Sequence, residues 1–240
     1  MTVEAHAKIN WTLRVLGVRS DGYHDLQSIV LPVSLHDTVS LSEADEITCR
    51  MDSGDLPQEA NLAYRAAVAL RRRTGYCGGV EISIAKRIPA GAGLGGGSAD
   101  AAAVLNGLNE LWGLHLLKAE LCEIAADIGS DVPALVLGGA VLMEGRGERV
   151  SPYVPDGNAQ ALPNVEDIVV YTPQIFASTP AVYREFRESD RGLCRNDLQP
   201  AAMRLYPGIA DAIRKLEADG LSCVTMSGSG SAVYGVDSRS

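Results

Sequence analysis

Residues 88–101 read Ile-Pro-Ala-Gly-Ala-Gly-Leu-Gly-Gly-Gly-Ser-Ala-Asp-Ala, with five glycines between positions 91 and 97 and a serine directly after them. Glycines let backbone N–H groups close around phosphate oxygens. A helix starting behind them adds free donors and the positive end of its dipole. Chemistry on a phosphorylated ligand is what this run of residues suggests.

Such a loop needs a strand to deliver it and a helix to receive it. Val80-Glu81-Ile82-Ser83-Ile84 is apolar at every second position and predicts a strand. Ala101-Ala102-Ala103-Val104-Leu105 predicts a helix, drawn here over 98–112. Earlier, Ile9, Trp11, Leu13 and Val15 alternate with Lys8, Asn10, Thr12 and Arg14, predicting a strand over 7–16. A turn-rich stretch at 17–22 follows, then strands over 26–35 and 37–41, a loop at 52–57, and a helix from Leu62 with Asn61 as N-cap. Leu117, Leu121, Ile124, Ala125 and Ile128 mark another helix with Gly129 as its stop. Ser130-Asp131-Val132-Pro133 opens a short apolar helix, in which Asp131 reads as a plain N-cap. Strands are expected at 141–144 and 165–172, separated by a Pro/Gly/Asn-rich loop at 152–163 that divides the chain into residues 1–155 and 156–240. Ile209, Ile213 and Leu216 mark a late helix closed by Gly220, and Cys223 to Tyr234 reads as strand, small-residue loop, strand. Strands and helices mix without regular βα alternation, which favours an α+β fold.

Composition narrows the function classes. With 240 residues and a formal net charge of −9, the chain can bury a proper core but offers no broad surface for nucleic acid. The one basic cluster, Arg71-Arg72-Arg73, closes a predicted helix, where cations suit the dipole. No apolar stretch is long enough to span a bilayer, and the N-terminus lacks a signal-type run. The five cysteines lie far apart with no C-x-x-C, so they read as reduced thiols in a cytoplasmic protein. None of the four histidines forms H-E-x-x-H, so a zinc hydrolase has no support.

Three phosphate-loop patterns compete for residues 88–101. Walker A fails because no lysine precedes Ser98. Gly91, Gly93 and Gly96 match the Rossmann G-x-G-x-x-G literally, but the position about 20 residues on, where an acidic strand end is required, falls at Glu110 inside a predicted helix. A protein-kinase loop would need H-R-D and D-F-G downstream, and neither occurs. The full string from Pro89 to Ala101 instead resembles the phosphate loop of the GHMP small-molecule kinases. Ala7-Lys8-Ile9-Asn10 with Asp21-Gly22-Tyr23-His24, Gly129-Ser130-Asp131-Val132-Pro133, residues 196–200 and Met226-Ser227-Gly228-Ser229-Gly230-Ser231 are similar, in order, to motifs of the 4-diphosphocytidyl-2-C-methyl-D-erythritol kinases within that superfamily.

The resemblance implies a two-lobed α+β GHMP-kinase fold with the strand–loop–helix unit in its N-terminal lobe and a smaller α/β C-terminal lobe. It implies ATP and Mg²⁺ as cofactors. The reaction would move the γ-phosphoryl group to the 2-hydroxyl of a cytidine diphospho-sugar alcohol. By position Asp131 is the base that takes the hydroxyl proton, and Lys8 holds it ionised and steadies the alkoxide. Taken alone, Lys8 reads as a solvent-facing strand lysine. Pro89, Ala90, Gly91, Ala92, Gly93, Leu94, Gly95, Gly96, Gly97, Ser98 and Ala99 would bind ATP, with Asn61 lining the nucleotide site and Lys86 approaching the nucleotide. Ser98 meets either phosphate or Mg²⁺, or else caps its helix. Tyr23 would stack on the cytosine and His24 would hydrogen-bond it, Asn10 would line the substrate site, and Tyr183 is either a second stacking aromatic or a core residue of a helix over 180–188. Kinases of the same superfamily that act on homoserine or a sugar have no cytosine to read, so Tyr23 and His24 separate this reading from those. A catalytically inactive nucleotide-binding member is the other alternative.

The chain departs from the family pattern at several positions. His6 stands where proline is expected before Ala7-Lys8, Trp11 replaces a smaller apolar residue, Ala99 replaces a second serine, and Ala134 replaces an aromatic. The family pattern also continues past the last glycine motif with another helix and strand, so the C-terminal lobe is expected to lack its final elements.

Overall fold

The computed structural model describes residues 1–20, 22–53, 56–155 and 162–237. Asp21 of the turn, residues 54–55 of the loop at 52–57 and residues 156–161 of the boundary loop lie outside the described residues. The alternation around Ile9 extends in both directions into β1 (Thr2–Val18). It pairs antiparallel along its length with β2 (His24–Ala44), a single strand where two are expected. β2 runs on because it changes its second partner midway: residues 26–30 pair with β5 (Val141–Gly145), and residues 38–44 with β4 (Gly79–Ala85). β3 (Ile47–Met51) lies parallel to β4, and β6 (Arg149–Pro152) lies antiparallel to β5. The strand before the glycine loop therefore sits in a largely antiparallel sheet, which removes the Rossmann alternative.

Four helices belong to this first layer: α1 (Leu62–Thr74), α2 (Gly96–Leu111), α3 (Lys118–Ala126) and α4 (Val132–Leu137). α1 starts as the sequence predicts, with the Asn61 side chain accepting from the Ala63 N–H at 2.9 Å, and ends at left-handed Gly75 behind Arg71, Arg72 and Arg73. α2 begins two residues earlier than expected, at Gly96, and buries its alanine-rich face with Val104, Leu105 and Leu108 against β1, β2 and α1. α3 ends at Ala126, short of the expected stop at Gly129.

A smaller three-stranded sheet has the order β7 (Ile168–Tyr171), β9 (Val233–Val236), β8 (Ser222–Met226), all antiparallel. Helices α5 (Thr179–Glu185), α6 (Gln199–Leu205) and α7 (Gly208–Ala218) accompany it. The two layers share residues. Leu13, Val15 and Leu26, at the far end of the β1–β2 pair, pack with Val182, Leu198, Ile209 and Ile213 of the second layer, while Tyr234 and Ile168 pack into the first. Along β1, the edge turned away from β2 is satisfied by loops. The Lys8 N–H donates to Leu94 O at 3.0 Å, the Leu13 N–H to Arg195 O at 2.9 Å, and Leu13 O accepts from the Asp197 N–H at 2.9 Å. One strand edge thus carries the glycine loop and the second layer side by side. No helix among the described residues is long and apolar enough to cross a membrane.

Candidate active site

Between the two layers lies a cleft of about 910 Å³. The glycine loop forms one end. Its carbonyls are turned into protein: Leu94 O takes the Lys8 N–H, Ala92 O the Ala232 N–H at 3.0 Å, and Gly93 O the Ser227 hydroxyl at 3.0 Å. Gly93 has φ +77°, and a Cβ there would stand 2.4 Å from Ser227 O. Gly95, at φ +72°, is the N-cap of α2 and brings no side chain to cap it. The Ala99 N–H already reaches Gly95 O at 2.8 Å. The N–H groups of Gly96, Gly97 and Ser98 are the ones the helix itself cannot satisfy, so this end of the cleft has donors suited to an anion. Ser98 faces the cleft from inside the first turn, so it does not cap the helix.

Lys8 and Asn10 reach the cleft floor from β1. Lys8 is not the exposed strand lysine of the bare sequence; it is 3% exposed. Its Nζ donates to Asn10 Oδ1 at 2.7 Å and pairs with Asp131 Oδ2 at 3.3 Å. The Asn10 Nδ2 donates to Ser28 Oγ at 2.8 Å, and the Ser28 hydroxyl donates to Thr12 O at 2.6 Å. Asn10 therefore lines the site chiefly by fixing Lys8. An ammonium has three donors, so Lys8 keeps capacity for a substrate oxygen. Asp131 stands at the N-terminal end of α4 in helical backbone, and its carboxylate makes no capping hydrogen bond. That frees it for Lys8 and corrects the reading of Asp131 as a plain N-cap.

The other end of the cleft holds Tyr23, His24 and Tyr183. The His24 and Tyr183 rings lie 4.9 Å apart at 32°, and the Arg146 guanidinium sits 5.3 Å from the Tyr23 ring centre. Tyr183 lines the cleft and also packs against the second core, so it is a core residue that presents a face to the cleft. Burial, then the charge of Asp131, pushes its phenol well above the usual range. Burial and the nearby Arg191 charge pull His24 below its ordinary value, only partly opposed by Glu188, so its imidazole is neutral at pH 7.

Two expected nucleotide residues are engaged by protein partners. Asn61 is buried as the cap of α1. Lys86 is tied beneath the loop to Asp37 and, at 2.6 Å, to Asp100, both buried. Asp37 Oδ1 also takes the N–H groups of Arg87 and Ile88. Burial pushes Asp100 up to about 7 against the pull of Lys86, and its Oδ1 has no partner. The triad anchors the strand that feeds the loop. Pro89 and Ala90 are exposed, Ala92 and Leu94 are buried anchors, and Ala99 is buried inside α2.

Arg146, Thr179 and Arg184 also line the cleft without a motif to mark them, and Ser229 of the last glycine motif joins them. Arg146 stands alone between two glycines, a pattern that only says "turn". Gly147 lets that turn meet Ser130, since a Cβ would lie 2.3 Å from Ser130 O.

Family models match both parts of the chain. Residues 61–139 match the GHMP kinases N terminal domain and residues 179–240 the GHMP kinases C terminal domain. The chain is 40% identical to the 4-diphosphocytidyl-2-C-methyl-D-erythritol kinase of Symbiobacterium thermophilum over 262 residues, covering 98% of this chain and 90% of the relative. It is also 40% identical to that of Moorella thermoacetica over 264 residues, with the same coverage. A crystal structure of 4-(cytidine 5'-diphospho)-2C-methyl-D-erythritol kinase superposes with a TM-score of 0.82 at 37% identity, covering 99% of this chain and 90% of that one. A homoserine kinase from Cytophaga hutchinsonii, at 19% identity and a TM-score of 0.67 over 97% and 84% of the two chains, shares the fold. With a lysine–aspartate pair facing a glycine loop and relatives matched over nearly its whole length, the chain belongs to the 4-diphosphocytidyl-2-C-methyl-D-erythritol kinase family of GHMP kinases.

Proposed function

We propose that this chain transfers the γ-phosphoryl group of ATP to the 2-hydroxyl of 4-diphosphocytidyl-2-C-methyl-D-erythritol, with Asp131 as base and Lys8 as its electrostatic partner. The carrying observation is the 3.3 Å Lys8–Asp131 pair, set between the anion site of α2 and the Tyr23–His24–Tyr183 end of one cleft. With Oδ2 on Lys8, Asp131 keeps Oδ1 for the hydroxyl proton. As that proton passes to the carboxylate, the hydroxyl oxygen bonds to the γ-phosphorus and the bond to the bridging oxygen breaks. Lys8 offsets the charge on the attacking oxygen, and the N–H groups of Gly96, Gly97 and Ser98 offset charge on the phosphates.

The donors present suit Mg²⁺, which takes oxygen ligands and keeps several waters beside substrate phosphates. Ser98 and Asp131 both bring oxygen to this part of the cleft, and Ser98 is the residue we assign to it. When bound, the ion neutralises phosphate charge. At the other end, a neutral His24 offers one donor and one acceptor, as a base edge requires, and Tyr23 and Tyr183 offer aromatic faces. Residues 1–155 and 156–240 remain our division into lobes, and a cytoplasmic location fits the five unpaired cysteines.

The test is ATP turnover with the cytidylyl substrate against homoserine and galactose. Preference for the cytidylyl substrate is expected. Preference for either of the others overturns the substrate, and ATP binding without turnover of any of them overturns the enzyme.

A further inference from the structure

A second cluster of functional side chains lies outside the cleft, on the same strand as Lys8. Glu4 and His6 stand two apart on β1, and His36 of β2 is the register partner of His6. His6 Nε2 is 3.3 Å from Glu4 Oε2, and His36 Nε2 is 3.7 Å from Glu4 Oε1. Among the described residues this is the one set of three His, Cys, Asp or Glu side chains close enough to share a metal ion.

The outer hydrogen bonds orient both rings. His6 Nδ1 lies 3.0 Å from Val33 O, and His36 Nδ1 lies 2.9 Å from Ser34 O. A carbonyl can only accept, so Nδ1 carries the proton in each neutral ring and Nε2 presents its lone pair. That is the arrangement in which metal-binding histidines are held. Zinc ligands about 2.0–2.1 Å from the ion at tetrahedral angles stand about 3.4 Å apart; each imidazole lies near that distance from one of the two Glu4 oxygens, and one ligand atom from each of the three residues lies within 4.8 Å of the other two. Glu4 and His6 also border a separate cavity of about 230 Å³, which leaves room beside the cluster for a fourth, non-protein ligand.

We propose that Glu4, His6 and His36 form a site for a divalent transition metal such as zinc, three protein ligands with the fourth position left to water or another non-protein ligand. The ion would bolt β1 to β2 where their register slips: His6 faces His36, but Lys8 faces Pro32, so β2 carries two extra residues there. Both Nδ1 hydrogen bonds end on carbonyls inside that bulge. The site would hold the irregular stretch between Lys8 on one strand and Asp37 on the other. It is distinct from a magnesium site, because two imidazoles and one carboxylate suit zinc-like ions and Mg²⁺ prefers oxygen.

The experiment is calorimetric titration of the chelator-treated full chain with ZnCl2, beside His6→Gln and His36→Gln. Cobalt substitution then reports the ligand type, and far-ultraviolet circular dichroism confirms that each variant is folded. One zinc per chain is expected in the parent, unmoved by excess Mg²⁺. Each variant should lose more affinity than the roughly 10–100-fold that an outer hydrogen-bond partner is worth. Zinc should raise the melting temperature of the parent and leave the variants unchanged. Cobalt should give visible bands without a thiolate charge-transfer band. No zinc binding by the parent, equal binding by both folded variants, or a cobalt–thiolate band would each overturn the proposal.

Discussion

Lys8 Nζ and Asp131 Oδ2 lie 3.3 Å apart, although 123 positions separate them in the chain. Lys8 is almost fully buried, while the Asp131 side chain is about one-third exposed, facing the cleft. Such a pair fixes one carboxylate oxygen on the ammonium while the other stays open to a hydroxyl. Asp131→Asn should lower kcat by roughly 10²–10⁴-fold, the usual worth of a positioned base, with ATP binding kept within a few-fold by equilibrium titration. Lys8→Met should lower kcat comparably. Lys8→Arg should not rescue it, because Gly95 lies tight against the lysine stem: a Cβ there would stand 3.1 Å from Lys8 Cγ.

Gly93→Ala tests the anion site. The new Cβ would meet Ser227 O at 2.4 Å and sit on left-handed backbone. A loss of 100-fold or more in kcat/KM for ATP is expected, which corresponds to about 2.7 kcal/mol. Gly113→Ala is the control: it has a similar φ of +61° but nothing within 4 Å. It should cost about 1–2 kcal/mol of stability in urea denaturation and leave the kinetics unchanged.

His24 gives the substrate end a pH signature. Its folded pKa lies below the ordinary 6.5, so the fold favours the neutral ring. The stability this contributes is present above about pH 6.5 and is lost as pH falls through the lowered folded value. KM for the cytidylyl substrate should stay flat from pH 7 to 8 and rise only well below about 6.5. His24→Ala should raise that KM at least about tenfold, with KM for ATP little changed, in steady-state assays at pH 7.5.

Asp37 and Asp100 divide the burden of holding Lys86. Asp37→Asn removes a buried charge that holds Lys86 and two backbone N–H groups, so it should cost about 3–5 kcal/mol in urea unfolding. Asp100 behaves differently with pH. Its folded pKa is raised to about 7, so its contribution is complete below the unfolded value near 3.8 and is lost as pH rises through 7. Asp100→Asn should therefore look better relative to the parent at pH 8 than at pH 5, in parallel denaturation curves.

Residue type and spacing alone made much of this chain legible. The alternation at Ile9 to Val15, the Asn61 cap, the arginines ending α1 and the strand–glycine–helix unit are local features, fixed by backbone preference and periodicity, and they stand where the sequence puts them. The motif order was enough to indicate the family. Tertiary structure decided what individual polar side chains do. Lys8 looked like a surface lysine, Asp131 like a helix cap, Lys86 like a nucleotide ligand and Asn10 like a substrate contact. Apart from the Lys8–Asn10 contact within β1, their partners are Asp131, Lys8, the Asp37–Asp100 pair and Ser28, the nearest of them 14 residues away in the chain. Periodicity reports which face of an element is buried. It says nothing of which distant charge meets that face, and the work of a buried charge is set by its partner.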